Sequence, residues 1–189
     1  MPETFFTADS HWSHANILGY CNRPFATIEE MNETLIRNWN TVVNCTDTVY
    51  HLGDFAWNHS GSKYDTRNIR RRLNGNILFI RGNHDEDISQ YRDCFGWIKD
   101  VAMVQVNNQE IFLSHYAHRV WPKSCHSAWH LYGHSHGSLP DDPNSLSFDC
   151  GVDCHNYHPV SFGQVQRLMA KKEWKPKEHH GQKDSGEVV

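Results

Sequence analysis

A chain of 189 residues suits one domain with a substantial core. A formal charge of -4 excludes a general pull toward nucleic acid or anionic membrane, and no apolar run is long enough to span a bilayer. The start, Met1-Pro2-Glu3-Thr4-Phe5-Phe6, lacks the basic and apolar regions of a signal peptide, and the scattered cysteines read as reduced thiols, so a cytoplasmic protein is expected. Fifteen histidines are the outlier, and they make a metal worth testing.

Thr4-Phe5-Phe6-Thr7-Ala8 reads as a short strand ending in Asp9-Ser10-His11. In extended backbone an Asp-x-His triplet puts both side chains on one face, which suits two ligands of one metal. Trp12 to Pro24 reads as a loop with a helical turn, leaving the sheet edge. It offers His14, Asn16, Tyr20 and Arg23 to a substrate, with Arg23 the natural phosphate contact. Thr27 and Glu30 form a capping-box pattern, followed by an apolar stripe at helical spacing, Ile28, Met31, Leu35, Trp39, Val42 and Val43.

Asp47 to Leu52 is the next strand, and it ends in Gly53-Asp54. Phe55 to Ser62 reads as loop and Lys63 to Leu73 as a helix whose arginines form a solvated face. Asn76 to Ile80 is an apolar strand ending in Arg81-Gly82-Asn83-His84-Asp85. Strands alternating with helical crossovers predict a parallel sheet, whose carboxyl edge is where ligands bind. Trp97 to Val106 and Gln109 to Ser114 read as a hairpin ending in His115. Trp129 to Tyr132 is a strand ending in Gly133-His134-Ser135-His136-Gly137. Ser145 to Cys150 is a strand before Gly151-Val152-Asp153, and Pro159-Val160-Ser161 opens a last helix to about Lys172. The division expected is one domain over 1–174 and a polar, disordered tail over 175–189.

The strand ends together supply Asp9, His11, Asp54, Asn83, His84, His115, His134 and His136. Carboxylate, imidazole and amide ligands without thiolate suit Mn, Fe, Zn, Ni or Mg, with manganese the first choice. The set exceeds one tetrahedral site, so two adjacent ions are expected, roughly 3.5–4 Å apart, clamping both oxygens of a displacement at phosphorus.

The ordered series Asp9-Ser10-His11, Gly53-Asp54, Gly82-Asn83-His84-Asp85, His115 and Gly133-His134-Ser135-His136 resembles the calcineurin-like metallophosphoesterase superfamily, in its small bacterial and phage form. The resemblance runs from Thr4 to about Asp153. It implies a four-layer α/β/β/α sandwich with two central mixed sheets. It assigns Asp9, His11 and His136 to one metal and Asn83, His115 and His134 to the other, with Asp54 bridging. His84 is left over, and by resemblance it contacts the scissile phosphate and protonates the leaving oxygen, while a hydroxide shared by the two cations attacks phosphorus. The catalytic set expected is His84, Asp54 and Asn83, with Arg23, His14 and Asn16 as substrate contacts.

The function expected is a two-metal phosphodiesterase acting on a small linear or cyclic nucleotide-type diester. A phosphomonoesterase is the near alternative; a nuclease or a silent interaction module stands further off. No membrane and no strong nucleic-acid binding are expected. Two rival metal sites are weaker. Cys150, Cys154, His155 and His158 are spaced too tightly for a zinc finger, and His126 and His130, four apart, would chelate only on a helix. No residue is assigned to orient His84, and Asp85 reads as a helix cap.

Overall fold

The computed structural model describes residues 1–57, 64–86 and 88–175. Strands β1 (Thr4–Thr7), β2 (Thr48–His51), β3 (Asn76–Ile80) and β4 (Trp97–Lys99) run parallel. β9 (Val160–Ser161) joins β1 antiparallel, so the first sheet is mixed, in the order β4-β3-β2-β1-β9. The second sheet has the order β5-β6-β7-β8, built from Val101–Val106, Gln109–Ser114, Trp129–Tyr132 and Ser147–Asp149. β5 and β6 pair antiparallel, whereas β6, β7 and β8 are parallel.

Strand alternation sorts neighbouring residues into two cores. Phe5, Val49, Ile77 and Phe79 pack against Met31, Leu35, Ile36 and Trp39 of helix α2 (Ile28–Val42). Phe6, Tyr50 and Ile80, on the opposite face, pack against Ile111, Leu113 and Leu131 of the second sheet. The two mixed sheets therefore share one apolar layer, as the expected sandwich requires. The remaining helices are α1 (Ile17–Tyr20), α3 (Thr66–Arg70) and α4 (Phe162–Met169). Among the described residues no helix is long and apolar enough to cross a membrane.

Several sequence readings are corrected. Trp97 to Val106 is not one hairpin arm: β4 joins β3 in the first sheet, and β5 begins the second after Asp100. Pairing partners decide that break, and side-chain pattern does not encode them. Val160 and Ser161 pair with β1, so α4 starts at Phe162, where Ser161 and Gln164 form a capping box. Thr27 caps α2 by accepting from the Glu30 amide, but the Glu30 carboxylate accepts from Ala26, not from Thr27. The helix expected over 63–73 is shorter, with Asp65 capping Thr66–Arg70, and its first residue lies outside the described ones. Most of the 55–62 loop and the tail beyond 175 also lie outside them. His126 and His130 do not share a helix; His126 ends a 3-10 turn, and His130 is a buried strand residue accepting from the His118 amide at 3.0 Å.

Candidate metal centre and cleft

The backbone beyond β1 and β2 stays zipped. The amides of Asp9, His11 and Trp12 donate to the carbonyls of Gly53, Asp54 and Phe55, each at 3.0 Å. This fixes the Asp9-Ser10-His11 and Gly53-Asp54 turns side by side at the sheet edge. On the second sheet the Gly133 amide donates to the His115 carbonyl at 2.9 Å. Two glycines are there for close approach. A Cβ on Gly82 would stand 2.2 Å from Asp54 Oδ1, and Gly53 has φ +97 with His115 Nδ1 2.5 Å from its Cβ position.

Asp9, His11, Asp54, His134 and His136 all have positive φ, between 47 and 66 degrees. A left-handed backbone costs a residue with a Cβ on the order of 1 kcal/mol, and such strain gathers at functional sites. Here it turns five side chains inward. The ligand atoms of Asp9, His11 and His136 lie within 4.8 Å of one another, as do those of Asp54, His115 and His134. Asp54 joins the two groups: its Oδ2 is 3.4 Å from His11 Nε2 and 3.5 Å from His115 Nε2. Asn83 Oδ1 completes the second group, 2.9 Å from His115 Nε2 and 3.0 Å from His134 Nδ1.

The donor chemistry fits cations. His115 Nδ1 donates to the Leu52 carbonyl at 2.7 Å, and burial pushes the ring down to about 4, so it is neutral and Nε2 holds a lone pair. That lone pair faces the Asn83 carbonyl oxygen, an acceptor facing an acceptor. His11 Nε2 is buried without a hydrogen-bond partner among the described residues, and burial lowers its pKa steeply. Asp9 and Asp54 are buried carboxylates, each raised in pKa by desolvation. Buried carboxylates and imidazole lone pairs that converge in this way are stabilised by bound cations, which take the place of protons.

A cleft of about 780 Å³ opens over this cluster. His84 lines it and belongs to neither ligand group; its amide donates to Asp54 Oδ1 at 2.9 Å, and its ring lies 5.4 Å from that of His11. His14 and Asn16 line the same cleft.

A family model described as a calcineurin-like phosphoesterase superfamily domain matches residues 6–148. The chain belongs to the calcineurin-like phosphoesterase superfamily. It is 36% identical to the uncharacterized protein MJ1445 of Methanocaldococcus jannaschii, over 90% of this chain and 93% of that one. It is 25% identical to the Gene 66 protein of Mycobacterium phage L5, over 74% and 80% of the two chains. Among solved structures it resembles a protein of unknown function from Aquifex aeolicus, AQ665, with TM-score 0.71 and 22% identity over 89% of this chain and all of that one. The superfamily is one of divalent-metal-dependent phosphoesterases, and the described residues carry two ligand groups of the kind it needs.

Within this phosphoesterase scaffold Arg23 departs from expectation. It is 4% exposed and does not reach the cleft. Its guanidinium donates to both oxygens of Asp153 at 2.8 Å, to the carbonyls of Ser10 and Asp9, and to Met31 Sδ. Arg23 thus clamps the back of the Asp9-Ser10-His11 turn. Asp153, which the sequence reading passed over, also accepts from His136 Nδ1 at 2.7 Å. Burial pulls the His136 ring down, but this bond, with Cys21 and Asp9 nearby, pushes it up to about 10. A carboxylate behind an imidazole fixes its orientation and raises its basicity as a ligand. Arg23→Met should cost about 3–5 kcal/mol of stability, because it breaks a buried ion pair, leaves Asp153 with His136 alone and takes the donor from the Ser10 and Asp9 carbonyls. Denaturant titration checks it; unchanged stability with a raised KM would restore the phosphate-contact role.

Asp85 is not a helix cap. It is 3% exposed, and its oxygens accept from the amides of Asp54 at 2.7 Å, Phe55 at 3.0 Å and Gly82 at 2.7 Å. It ties the turn after β2 to the turn after β3, and does not touch the His84 ring by any hydrogen bond among the described residues. Asp85→Ala orphans three amides at about 1–3 kcal/mol each, so a loss of several kcal/mol is expected. An unfolding free energy lowered by less than about 1 kcal/mol in denaturant titration would contradict this. The rival zinc set does not assemble: Cys150 Sγ bonds the Tyr132 carbonyl and His155 Nε2 the Asp149 carbonyl, and neither is in a ligand group of the described residues.

Proposed function

We propose that this chain is a two-metal phosphodiesterase for a small nucleotide-type diester, linear or cyclic. The observation that carries the reading is Asp54 Oδ2 standing between the two ligand groups, 3.4 Å and 3.5 Å from a histidine of each. In this reading Asp9, His11 and His136 hold one ion, Asn83, His115 and His134 hold the other, and Asp54 serves both. Bound divalent ions, manganese foremost, supply a water of lowered pKa and positive charge for the phosphoryl oxygens. The chain's own residues do the rest. Asp153 and Leu52 orient the ligand imidazoles, and the fixed turns hold them preorganised. His84, at the cleft, delivers a proton to the departing oxygen.

Charge favours a diester over a monoester. Among the described residues lining the cleft there is no Lys or Arg. A diester brings a single negative charge, which the ions meet alone, whereas a monoester dianion gains from added cations. The test is to strip the full chain with chelator, reload it with Mn, Mg, Zn, Ni or Fe, and assay monoesters, linear diesters and 2′,3′- and 3′,5′-cyclic nucleotides. Activity should vanish on chelation and return on reloading, highest on diesters. A monoester preference would make it a phosphatase, and metal binding without hydrolysis of any ester would make it an interaction module.

A further inference from the structure

One side of the cleft is aromatic. Tyr20 is 73% and Trp57 40% exposed, and both line the cleft beside His14. The His14 ring stacks on Trp57 with centroids 4.7 Å apart and planes 16 degrees apart, and it meets Tyr20 edge-on at 6.3 Å. This row adjoins the reacting centre: the His84 ring is 5.7 Å from His14 and 5.8 Å from Trp57. The row is also well anchored. Ile17, three residues before Tyr20 in α1, is buried, and the Trp57 amide donates to the Trp12 carbonyl at 2.7 Å. Large aromatic surface left in water costs hydrophobic free energy, and ringing a phosphoester site with it is useful where the substrate itself is flat.

We propose that Tyr20, His14 and Trp57 are specificity residues that stack the heteroaromatic base of a phosphodiester whose phosphorus sits at the metal cluster. This rests on the phosphoesterase reading and names its substrate class: one base-bearing substituent, recognised by its π-face, and one phosphoryl group. The neutral side chains of Asn16, Asn22, Ser135 and Ser138 line the same cleft and offer both donors and acceptors to the edges of a base or to sugar hydroxyls. The described lining residues include no Lys or Arg and so offer no track for a run of phosphates, and a long polynucleotide is the poorer fit to them.

The test uses two esters with one leaving group. Thymidine 5′-(p-nitrophenyl phosphate) and methyl p-nitrophenyl phosphate differ only in the retained substituent. In the Mn-loaded full chain the thymidine ester should have the higher kcat/KM, by roughly 10- to 100-fold, the worth of one base on an aromatic side chain. Tyr20→Ala and Trp57→Ala should each pull that ratio toward one. A second readout needs no turnover: saturation-transfer NMR of thymidine 5′-monophosphate with the Mg-loaded chain should mark the base protons, and both variants should weaken that signal. A wild-type ratio near one, or a ratio and an NMR signal indifferent to both variants, overturns the stacking wall. Hydrolysis of both esters in that case leaves the phosphoesterase reading standing. If neither ester is hydrolysed with any metal, that reading fails, and the NMR comparison still decides whether the wall binds a base.

Discussion

Asp54→Asn is expected to abolish turnover and the thermal stabilisation by divalent metal, while leaving the metal-free protein as stable as the parent or more so. The argument is electrostatic. Asp54 is 2% exposed, and desolvation raises its pKa, so its charged form is disfavoured in the folded chain. A carboxylate raised in the folded state contributes stability that is present below the unfolded value of 3.8 and is lost as pH rises through the folded one. At neutral pH the metal-free parent therefore carries that penalty, and the cation offsets it. Asparagine keeps an oxygen to accept from the His84 amide, a bond of 2.9 Å in the parent, but brings no charge. Asp54→Ala should lose metal and turnover equally, with some added instability from the orphaned amide. Calorimetric melting with and without Mn, metal content and diester hydrolysis measure the three effects. A variant that still hydrolyses an aryl diester at a near-parental rate would dismiss Asp54 as the shared ligand, and with it the two-metal reading.

The strand-end residues were legible because their positions follow from local rules. A short apolar run, a glycine and a polar triplet mark a strand reaching a sheet edge, and several such edges in a parallel sheet point the same way. What holds those turns was not legible. Arg23 meets Asp153 across 130 residues, and Asp85 meets the Asp54 amide across 31. A local window shows only a loop arginine and an aspartate after a histidine, both of which have ordinary surface readings. The same limit explains the split at Asp100: Trp97–Lys99 and Val101–Val106 form one continuous strand pattern, and only the separate claims of β3 and β6 divide it. The role of His51 likewise depends on a distant contact. It is fully buried at the end of β2, stacked on Phe79, with Nε2 2.9 Å from Ser10 Oγ, so it supports the Asp9-Ser10-His11 turn from below. Burial holds its ring down at about 3, a neutral spacer and not a ligand. Tyr20 could be read as a substrate contact from its place near the sheet edge, but Trp57 carries no periodic signal, since loop side chains obey no repeat, and only the fold sets it beside His14.

His84→Ala should separate chemistry from metal binding. His84 lies outside both ligand groups, and its hydrogen bond to Asp54 is made by the backbone amide, which alanine retains. Metal stoichiometry and metal-dependent melting should therefore match the parent. The rate should not. A positioned imidazole acid is worth on the order of 10²–10⁴-fold. That factor depends on the departing oxygen. p-Nitrophenolate leaves readily without a proton, so its diester should lose little, whereas an alkoxide such as a ribose oxygen should lose the full amount. A series of diesters of graded leaving-group pKa, assayed for parent and variant, gives the decisive plot: the variant's log kcat should fall more steeply with leaving-group pKa. Parallel lines would mean that His84 acts on the phosphoryl charge alone and donates no proton. Loss of metal in the variant would move His84 into the ligand set and remove it from acid catalysis altogether.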